Sequence, residues 1–511
     1  MPPNTSATPW TAVPASRRML AGMVLALSNF MVVLDLTIAN VSVPHIAGNL
    51  GITLDQGTWI ITSYAVAEAI CVPLTGWLAQ RFGTVRVFIA AMFGFGVFSL
   101  LCGMSVSLTM IVVCRIGQGL CGGPIMPMSQ TLMMRVFPPE KRALAMGLWA
   151  MTVILGPALG PILGGIISDQ ISWHWIFLIN VPIAALCIGA AWLLLRPVET
   201  ETLRVPIDRV GLALLVFWIG CLQIILDIGR DHDWFGDWKI VALAIMAGIG
   251  FVVFVIWELT EEHPIVDLRI FRHRGFSASL ATMCLAFGAF FAGVVLVPQW
   301  LQATLGYTAT KAGTITAMHA FAAMLVAPLV AKLMTKVDPR TLVCFGLCWM
   351  AITSLLRAQW TSDVDFFGLA WPMFIQGFGI PFMMIPLTAT SLGSVPPEET
   401  ASAAGLQNFV RTMSVAIATS LVLTIWGDAQ RASRTELVGA MNPDAAQATL
   451  AGAGMSAEQS AAMLSNMVDR EAITLAVDYT FMVAALVLAF SAAIVWLTPR
   501  IRVTGPMPIG H

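Results

Sequence analysis

Apolar runs of about 20 residues or more, separated by charged or Pro/Gly punctuation, recur from one end of the chain to the other. At a 1.5 Å rise per residue, such a run crosses a roughly 30 Å hydrocarbon core as a helix. The pattern predicts fourteen transmembrane helices, beginning near Met19, Gln56, Val85, Leu108, Arg142, His174, Val210, Lys239, Phe276, Ala309, Thr341, Asp365, Ala401 and Ala472. The fold class is therefore an all-α polytopic membrane protein. Only 11% of the residues are charged, against roughly 25% in soluble domains, which excludes a water-soluble enzyme. The 27 Lys and Arg are matched by 28 Asp and Glu, so no basic excess points to nucleic acid as a partner.

An even number of helices puts both termini on one side. Of the 27 basic residues, two lie within helices (Arg115 and Arg411), 18 on the side of the termini and seven on the other, three of them in one long loop; the positive-inside rule makes the termini cytoplasmic. The stretch after Arg17-Arg18 is too long for the apolar region of a cleaved signal, so the first helix reads as an uncleaved anchor. All nine cysteines fall in apolar runs with no CxxC spacing, a pattern of small core residues with no metal site expected.

The segment PPEKRALAMGL (Pro138 to Leu148) returns as PPEETASAAGL (Pro396 to Leu406), and Gln118-Gly119 returns as Gln376-Gly377, all at an offset of 258 residues. Val43-Pro44 and Val297-Pro298 agree within a few residues of that offset. A duplication explains these matches, with helices 1 to 6 and 9 to 14 as related bundles and helices 7 and 8 as an insertion. The organisation read from this is a cytoplasmic tail (1–18), an N-terminal six-helix bundle (19–197), a linker with two inserted helices (198–274), a C-terminal six-helix bundle (275–498) and a cytoplasmic tail (499–511). Residues 427–471 form a long extracytoplasmic loop, helical from Ala457 to Val468, that is either a solvated hairpin or a docking surface. Two parallel-related halves around a central path suit alternating access.

Charge within a bilayer costs roughly 2.5 to 3.5 kcal/mol even on insertion scales, so an ionisable residue deep in a helix is a functional candidate. Ser28, Asp35 and Ser42 recur every seven residues and predict a polar stripe lining a cavity. There Asp35 can exchange a proton or attract a cation, unless a structural ion pair locks it. Arg115 opens RIGQGLCGG, with Gln118 at i+3; since arginine does not deprotonate, its role is to tune an acid or bind carbonyls. Glu68, with Tyr64 at i−4, His319, with Thr316 at i−3, and Arg411, with Gln407 at i−4 and Ser414 at i+3, are further proton-coupling or substrate candidates; a satisfied buried residue is the plainer reading of each. Asp227, close to a helix end, reads as an interface residue.

GPALGPILGG places Gly156, Gly160 and Gly164 four apart, with Gly165 beside them and Pro157 and Pro161 interrupting the helical hydrogen bonds. A kinked, closely packed helix results, serving either as a static interface or as a pivot. GWLAQRFGTVR, between helices 2 and 3, carries Gly76 and Gly83 for a tight turn and Arg81 and Arg86 on the cytoplasmic side. Topology and a gate use those arginines equally well.

Together these motifs resemble the major facilitator superfamily, in particular its fourteen-helix drug:proton antiporter branch of EmrB/QacA type. LDLTIANVSVP looks like that branch's first-helix motif, GWLAQRFGTVR the loop motif between helices 2 and 3, RIGQGLCGG the fourth-helix arginine motif, GPALGPILGG the fifth-helix exporter motif, and WHWIFLINVP (Trp173 to Pro182) the sixth-helix entry. The resemblance implies the superfamily fold as 6+2+6 helices, proton coupling through Asp35 and Arg115, and an exporter-type pivot from Gly156 to Gly165. The loop motif usually has an acid after GxLA, where this chain has Gln80. The resemblance further implies a multi-pass protein of the bacterial inner membrane that exports hydrophobic drug-like compounds, with an EmrA-like periplasmic adaptor and an outer-membrane channel as partners. No cofactor is expected, the proton-motive force being the energy source.

The expected function is thus proton-coupled multidrug efflux by alternating access. None of the five lysines follows a glycine, so an ATP-driven pump with a phosphate loop is excluded, and neither HExxH nor a nucleophile elbow suggests an enzyme. A channel would lack coupling. A proton-coupled importer or exporter of a specific metabolite on the same fold is the alternative.

Overall fold

The computed structural model describes residues 9–203, 206–230, 234–442, 446, 450 and 455–499, and every regular element among them is helical. The long helices are α1 (Ala15–Leu50), α2 (Trp59–Phe82), α3 (Thr84–Gly103), α4 (Leu108–Val136), α5 (Arg142–Gln170), α6 (Trp175–Val198), α7 (Arg209–Ile228), α8 (Trp238–Thr260), α9 (Arg274–Ala303), α10 (Ala309–Leu333), α11 (Pro339–Arg357), α12 (Phe366–Gly393), α13 (Thr400–Ala440) and α14 (Ala457–Leu497). Polar side chains cap them where the apolar runs begin: Ser107 accepts from Met110 N at 3.3 Å, Asp208 from Gly211 N at 2.8 Å and Asp365 from Gly368 N at 2.8 Å. Each satisfies one backbone N–H that the first turn leaves unpaired.

The expected 427–471 loop is corrected by the structure. Helix α13 runs on to Ala440, so the first part of that stretch is helical too, and the expected helix from Ala457 to Val468 is present as the start of α14. The Ala, Gln, Met and Glu content favours helix throughout, and Ser456 with Gln459 closes a capping box at the start of α14. With 41 residues α13 is about 60 Å long, twice the hydrocarbon thickness. Arg434 of α13 and Asp469 of α14 pair at 2.6 Å beyond the membrane-length core.

The packing repeats in the two halves. In the first, α1 packs on α5 and α6, α2 on α4, and α3 on α4 and α6; in the second, α9 packs on α13 and α14, α10 on α12, and α11 on α12 and α14. The halves meet along α5 against α10 and along α2 against α13, a symmetric exchange of equivalent helices. Helices α7 and α8 pack on each other, and α7 leans on α2 and α13 at one side of that seam.

Helix α5 is bent by 44° between Pro157 and Leu159, where Pro157 and Pro161 withhold two backbone donors. One carbonyl at the bend, Gly156 O, accepts from Thr37 Oγ1 of α1 at 3.1 Å. The expected C-terminal tail lies, past Pro499, outside the described residues.

Candidate functional site

The N-terminal bundle encloses a charged network. Asp35 of α1 and Arg115 of α4 are both 0% exposed. Arg115 donates from Nη1 to Asp35 Oδ2 at 2.6 Å and to Gln118 Oε1 at 2.8 Å, and from Nε to Ile60 O at 3.0 Å. The other carboxylate oxygen, Oδ1, accepts from Gln118 Nε2 at 3.0 Å and from Asn180 Nδ2 at 2.7 Å. Ser99 Oγ ties the two amides together, accepting from Gln118 at 3.2 Å and Asn180 at 3.1 Å. The ring of Tyr64 lies 4.1 Å from the guanidinium carbon. Three donors thus converge on one buried carboxylate, each worth roughly 1.5 to 3 kcal/mol to its charged form.

This arrangement corrects the expected cavity-lining stripe. Ser28, Asp35 and Ser42 do share a face, but all three are fully buried inside the bundle. Ser28 donates to Val24 O at 2.9 Å, and Ser42 meets Ser168 Oγ of α5 at 2.8 Å. The face is packed on three sides, Asp35 against α4 and α6 and Ser42 against α5, which leaves no cavity along it.

At the seam between the bundles, Glu68 of α2 is 3% exposed and lies within electrostatic reach of Arg411, Arg115 and Asp35. Tyr64 is turned toward Arg115 instead of Glu68. Arg411 of α13 crosses the seam: Nη2 approaches Met126 Sδ at 3.5 Å, and the guanidinium carbon lies 5.2 Å from the Trp149 ring and 5.9 Å from that of Phe287. Its neighbours on the helix share its burial without bonding to it: Ser414 donates to Val410 O at 2.6 Å and Gln407 Oε1 is buried without a partner. Asn408 Nδ2 donates across the seam to Gln130 Oε1 at 2.7 Å, leaving Gln130 Nε2 and Asn408 Oδ1 unpartnered. Buried polar atoms without partners are costly, and a ligand's polar groups can satisfy them.

A narrow cavity of about 20 Å³ lies on the same seam, lined by Val153 and Pro157 of α5 and by Phe290, Phe291, Val294, Thr316, His319 and Ala320 of α9 and α10. His319 Nε2 donates to Gln376 Oε1 at 2.6 Å, Gln376 Nε2 donates to Ser354 Oγ at 3.2 Å, and Arg357 Nη2 donates to the same hydroxyl at 3.2 Å.

The conformational motifs fall into two places. Gly156 and Gly160 face α1 inside the N-terminal bundle, where a methyl would overlap Val33 and Thr37, and a Cβ on Gly164 would sit 3.0 Å from Ile38 O. Gly165 looks the other way, toward Thr310 of α10, and Pro161 and Ile162 receive Gly313. Gly76 abuts Ser402 at the start of α13, 2.8 Å from its Cα for an added Cβ. Gly83 adopts φ +91°, the turn that starts α3. Arg81 stacks near Trp77 and Phe82, each 5.7 Å away, and Arg86 lies 4.0 Å from Glu199. Gln80 contributes its backbone, accepting from Leu203 N at 2.8 Å. Asp227 is exposed and accepts from Gln223 Nε2 at 3.4 Å.

Sequence reasoning missed Asn180, which stands inside the WHWIFLINVP motif, and Arg357, which hydropathy places in water at the end of an apolar run. Equivalence to Gln118 already marked Gln376, but its link to His319 needed the fold.

Comparison with known proteins agrees with this architecture. The Major Facilitator Superfamily profile matches residues 25–419. The Multidrug export protein EmrB of Escherichia coli (strain K12) is 42% identical over 478 residues, covering 92% of this chain and 93% of that one. The Fatty acid resistance protein FarB of Neisseria gonorrhoeae is 40% identical over 478 residues, covering 93% and 94%. Among solved structures, the human organic anion transporter MFSD10 (TETRAN) matches with a TM-score of 0.56 at 15% identity over 93% of this chain and 100% of that one, a likeness of fold alone.

Proposed function

Because the chain belongs to the Major Facilitator Superfamily, we propose that this multi-pass membrane protein is a proton-coupled multidrug exporter working by alternating access. The observation that carries the coupling is the sealed Asp35 carboxylate, held by Arg115, Gln118 and Asn180. A proton arriving at Asp35 removes the charge that those donors were built to hold, so the α1–α4–α6 contacts rearrange with protonation. Glu68 and Arg411, from opposite halves, and the aromatic cavity beside His319 supply the drug site. The α5–α10 and α2–α13 contacts then open alternately. One charge moving down 100 mV supplies about 2.3 kcal/mol and each pH unit about 1.4, enough for a tenfold outward gradient.

Identity of 42% across nearly the full length to a multidrug export protein supports the drug-like substrates. The chain is a transporter and not an enzyme in this reading, needs no cofactor, and sits in the bacterial inner membrane with both termini cytoplasmic, as the basic residues suggest. The overhanging ends of α13 and α14 are the surface that an EmrA-like periplasmic adaptor would grip on the way to an outer-membrane channel.

Proteoliposomes test the reading directly. An acid-outside gradient drives accumulation of a cationic dye on the outer side, and Asp35→Asn abolishes it while dye binding survives. Gradient-independent dye movement in the wild type, or unchanged coupling in Asp35→Asn, overturns the proposal.

A further inference from the structure

Arg357 closes α11 yet is only 3% exposed, and among the described residues it forms no ion pair with any carboxylate. Its guanidinium carries five N–H bonds and stays charged. Only two acceptors meet them, Ser354 Oγ at 3.2 Å and the weakly accepting Met373 Sδ at 3.6 Å, while Nε is buried with no partner. The Phe481 ring covers one face, 4.2 Å from the guanidinium carbon, and leaves the N–H edge. A permanent charge taken out of water needs a counter-charge, and the described residues supply none here.

We infer that Arg357 forms an anion-binding subsite in the C-terminal bundle, behind the wall of the inter-bundle cavity and taking a monovalent anion, either the carboxylate of an amphiphile or a chloride ion. Two features place the guanidinium close behind the cavity wall. Gly293 of α9 stands against it, and a Cβ there would lie in ordinary contact, 3.5 Å from Nη1 and 3.7 Å from Nη2, so the glycine leaves a methyl-sized space at the N–H edge, and its neighbours on α9, Phe290, Phe291 and Val294, line the cavity. His319, also in the cavity wall, reaches Arg357 through Gln376 and Ser354. The apolar wall suits the tail of an amphiphile, and the unspent N–H groups suit its head. The site stands on geometry alone; its use for a transported amphiphile rests on the export reading.

The test uses the full-length protein in nanodiscs at pH 8, titrated with chloride or with dodecanoate against gluconate at constant ionic strength. Tryptophan emission is the readout, since Trp360 stacks on Trp300 and its ring lies 5.6 Å from that of Phe481. A saturable emission change is expected, weakened at least tenfold in Arg357→Gln and in Gly293→Val, the second variant keeping the charge and filling the gap. Dodecanoate that displaces chloride identifies the amphiphile as occupant; chloride alone identifies the inorganic ion. No response to either anion, or a response that survives both substitutions, overturns the inference. Wild-type protein that exports a cationic dye but ignores both anions retains the export reading and loses this one; anion binding without gradient-driven export does the reverse.

Discussion

The two bundles share a scaffold and differ in charge. Gln118 and Gln376 occupy equivalent positions, and each donates from Nε2 to a serine, Ser99 or Ser354, at 3.2 Å. The glycine after each lies against the backbone of the neighbouring helix, Gly119 at Tyr64 and Gly377 at His319, which makes Tyr64 and His319 counterparts. On that common frame the first bundle mounts Arg115 against Asp35. At the 258-residue offset the second has Met373 in place of the arginine, and the repeat around Val43-Pro44 and Val297-Pro298 puts Ala289 in place of the acid. One of its buried cations, Arg357, enters from a different helix with no acid to meet it among the described residues. Duplication preserved the packing, where any change costs stability, and divergence relocated the charges, where function is set.

That contrast breaks most sharply on the two arginines. Arg115→Met leaves Asp35 buried and uncompensated, a loss of about 3 to 5 kcal/mol, whereas Arg357→Met removes an unpaired charge and is neutral or stabilising by about 1 kcal/mol or more. Thermal unfolding in chloride-free detergent solution measures both. Equal losses at the two sites would show that Arg357 is neutralised by a group of the protein.

Asn180→Leu sharpens the role of the first bundle's amides. It removes the 2.7 Å donor to Asp35, costing about 1.5 to 3 kcal/mol. Losing a donor to the charged form favours the protonated one, so the pH profile of dye export moves toward higher pH. Gln376→Leu, in the bundle without the acid, lowers export without moving the profile. Export measured from pH 5.5 to 8.5 in both variants decides, and a profile unmoved in Asn180→Leu would detach Asn180 from proton coupling.

The legible part of this molecule is what hydropathy and repetition encode. Helix starts near Leu108, Arg142 and Ala309 coincide with the observed ones because punctuation in an apolar sequence has few meanings, and Pro157 marks the bend of α5 because a missing donor acts locally. What stayed illegible depends on distance in space. Asp35 and Arg115 are 80 residues apart, and nothing in either segment says that they meet. Asn180 reads as an ordinary residue in an apolar motif until α6 packs against α1. Arg357 misleads because a basic residue at the end of a run belongs in water unless tertiary packing covers it. The overhang of α13 misleads in the opposite sense: polar, helix-favouring sequence past a membrane span looks like a loop to a hydropathy scale and like a helix to its backbone, whereas the helical reading from Ala457 matches the start of α14.

The smallest of the expected differences concerns the equivalent seams α1–α5 and α9–α13, which achieve close packing from opposite sides. In the first, the small residues belong to the later helix, Gly156 and Gly160 against Val33 and Thr37; in the second, the glycine belongs to the earlier one, with Gly288 against Ala418. A methyl at Gly160 overlaps Thr37, a β-branched side chain with little rotameric freedom, whereas one at Gly288 would sit 3.1 Å from the Ala418 Cβ and needs a shift of only a few tenths of an ångström. Overpacking costs about 1 to 3 kcal/mol, so Gly160→Ala should lower the unfolding midpoint by several degrees and slow export, and Gly288→Ala should lie within about 1 kcal/mol of wild type. If the bend of α5 is a working pivot, Gly160→Ala reduces the export rate by more than its stability loss explains, at a temperature where both variants are folded. If the seam is static packing, export tracks the folded fraction in both variants, and the asymmetry between the bundles is confined to their charges.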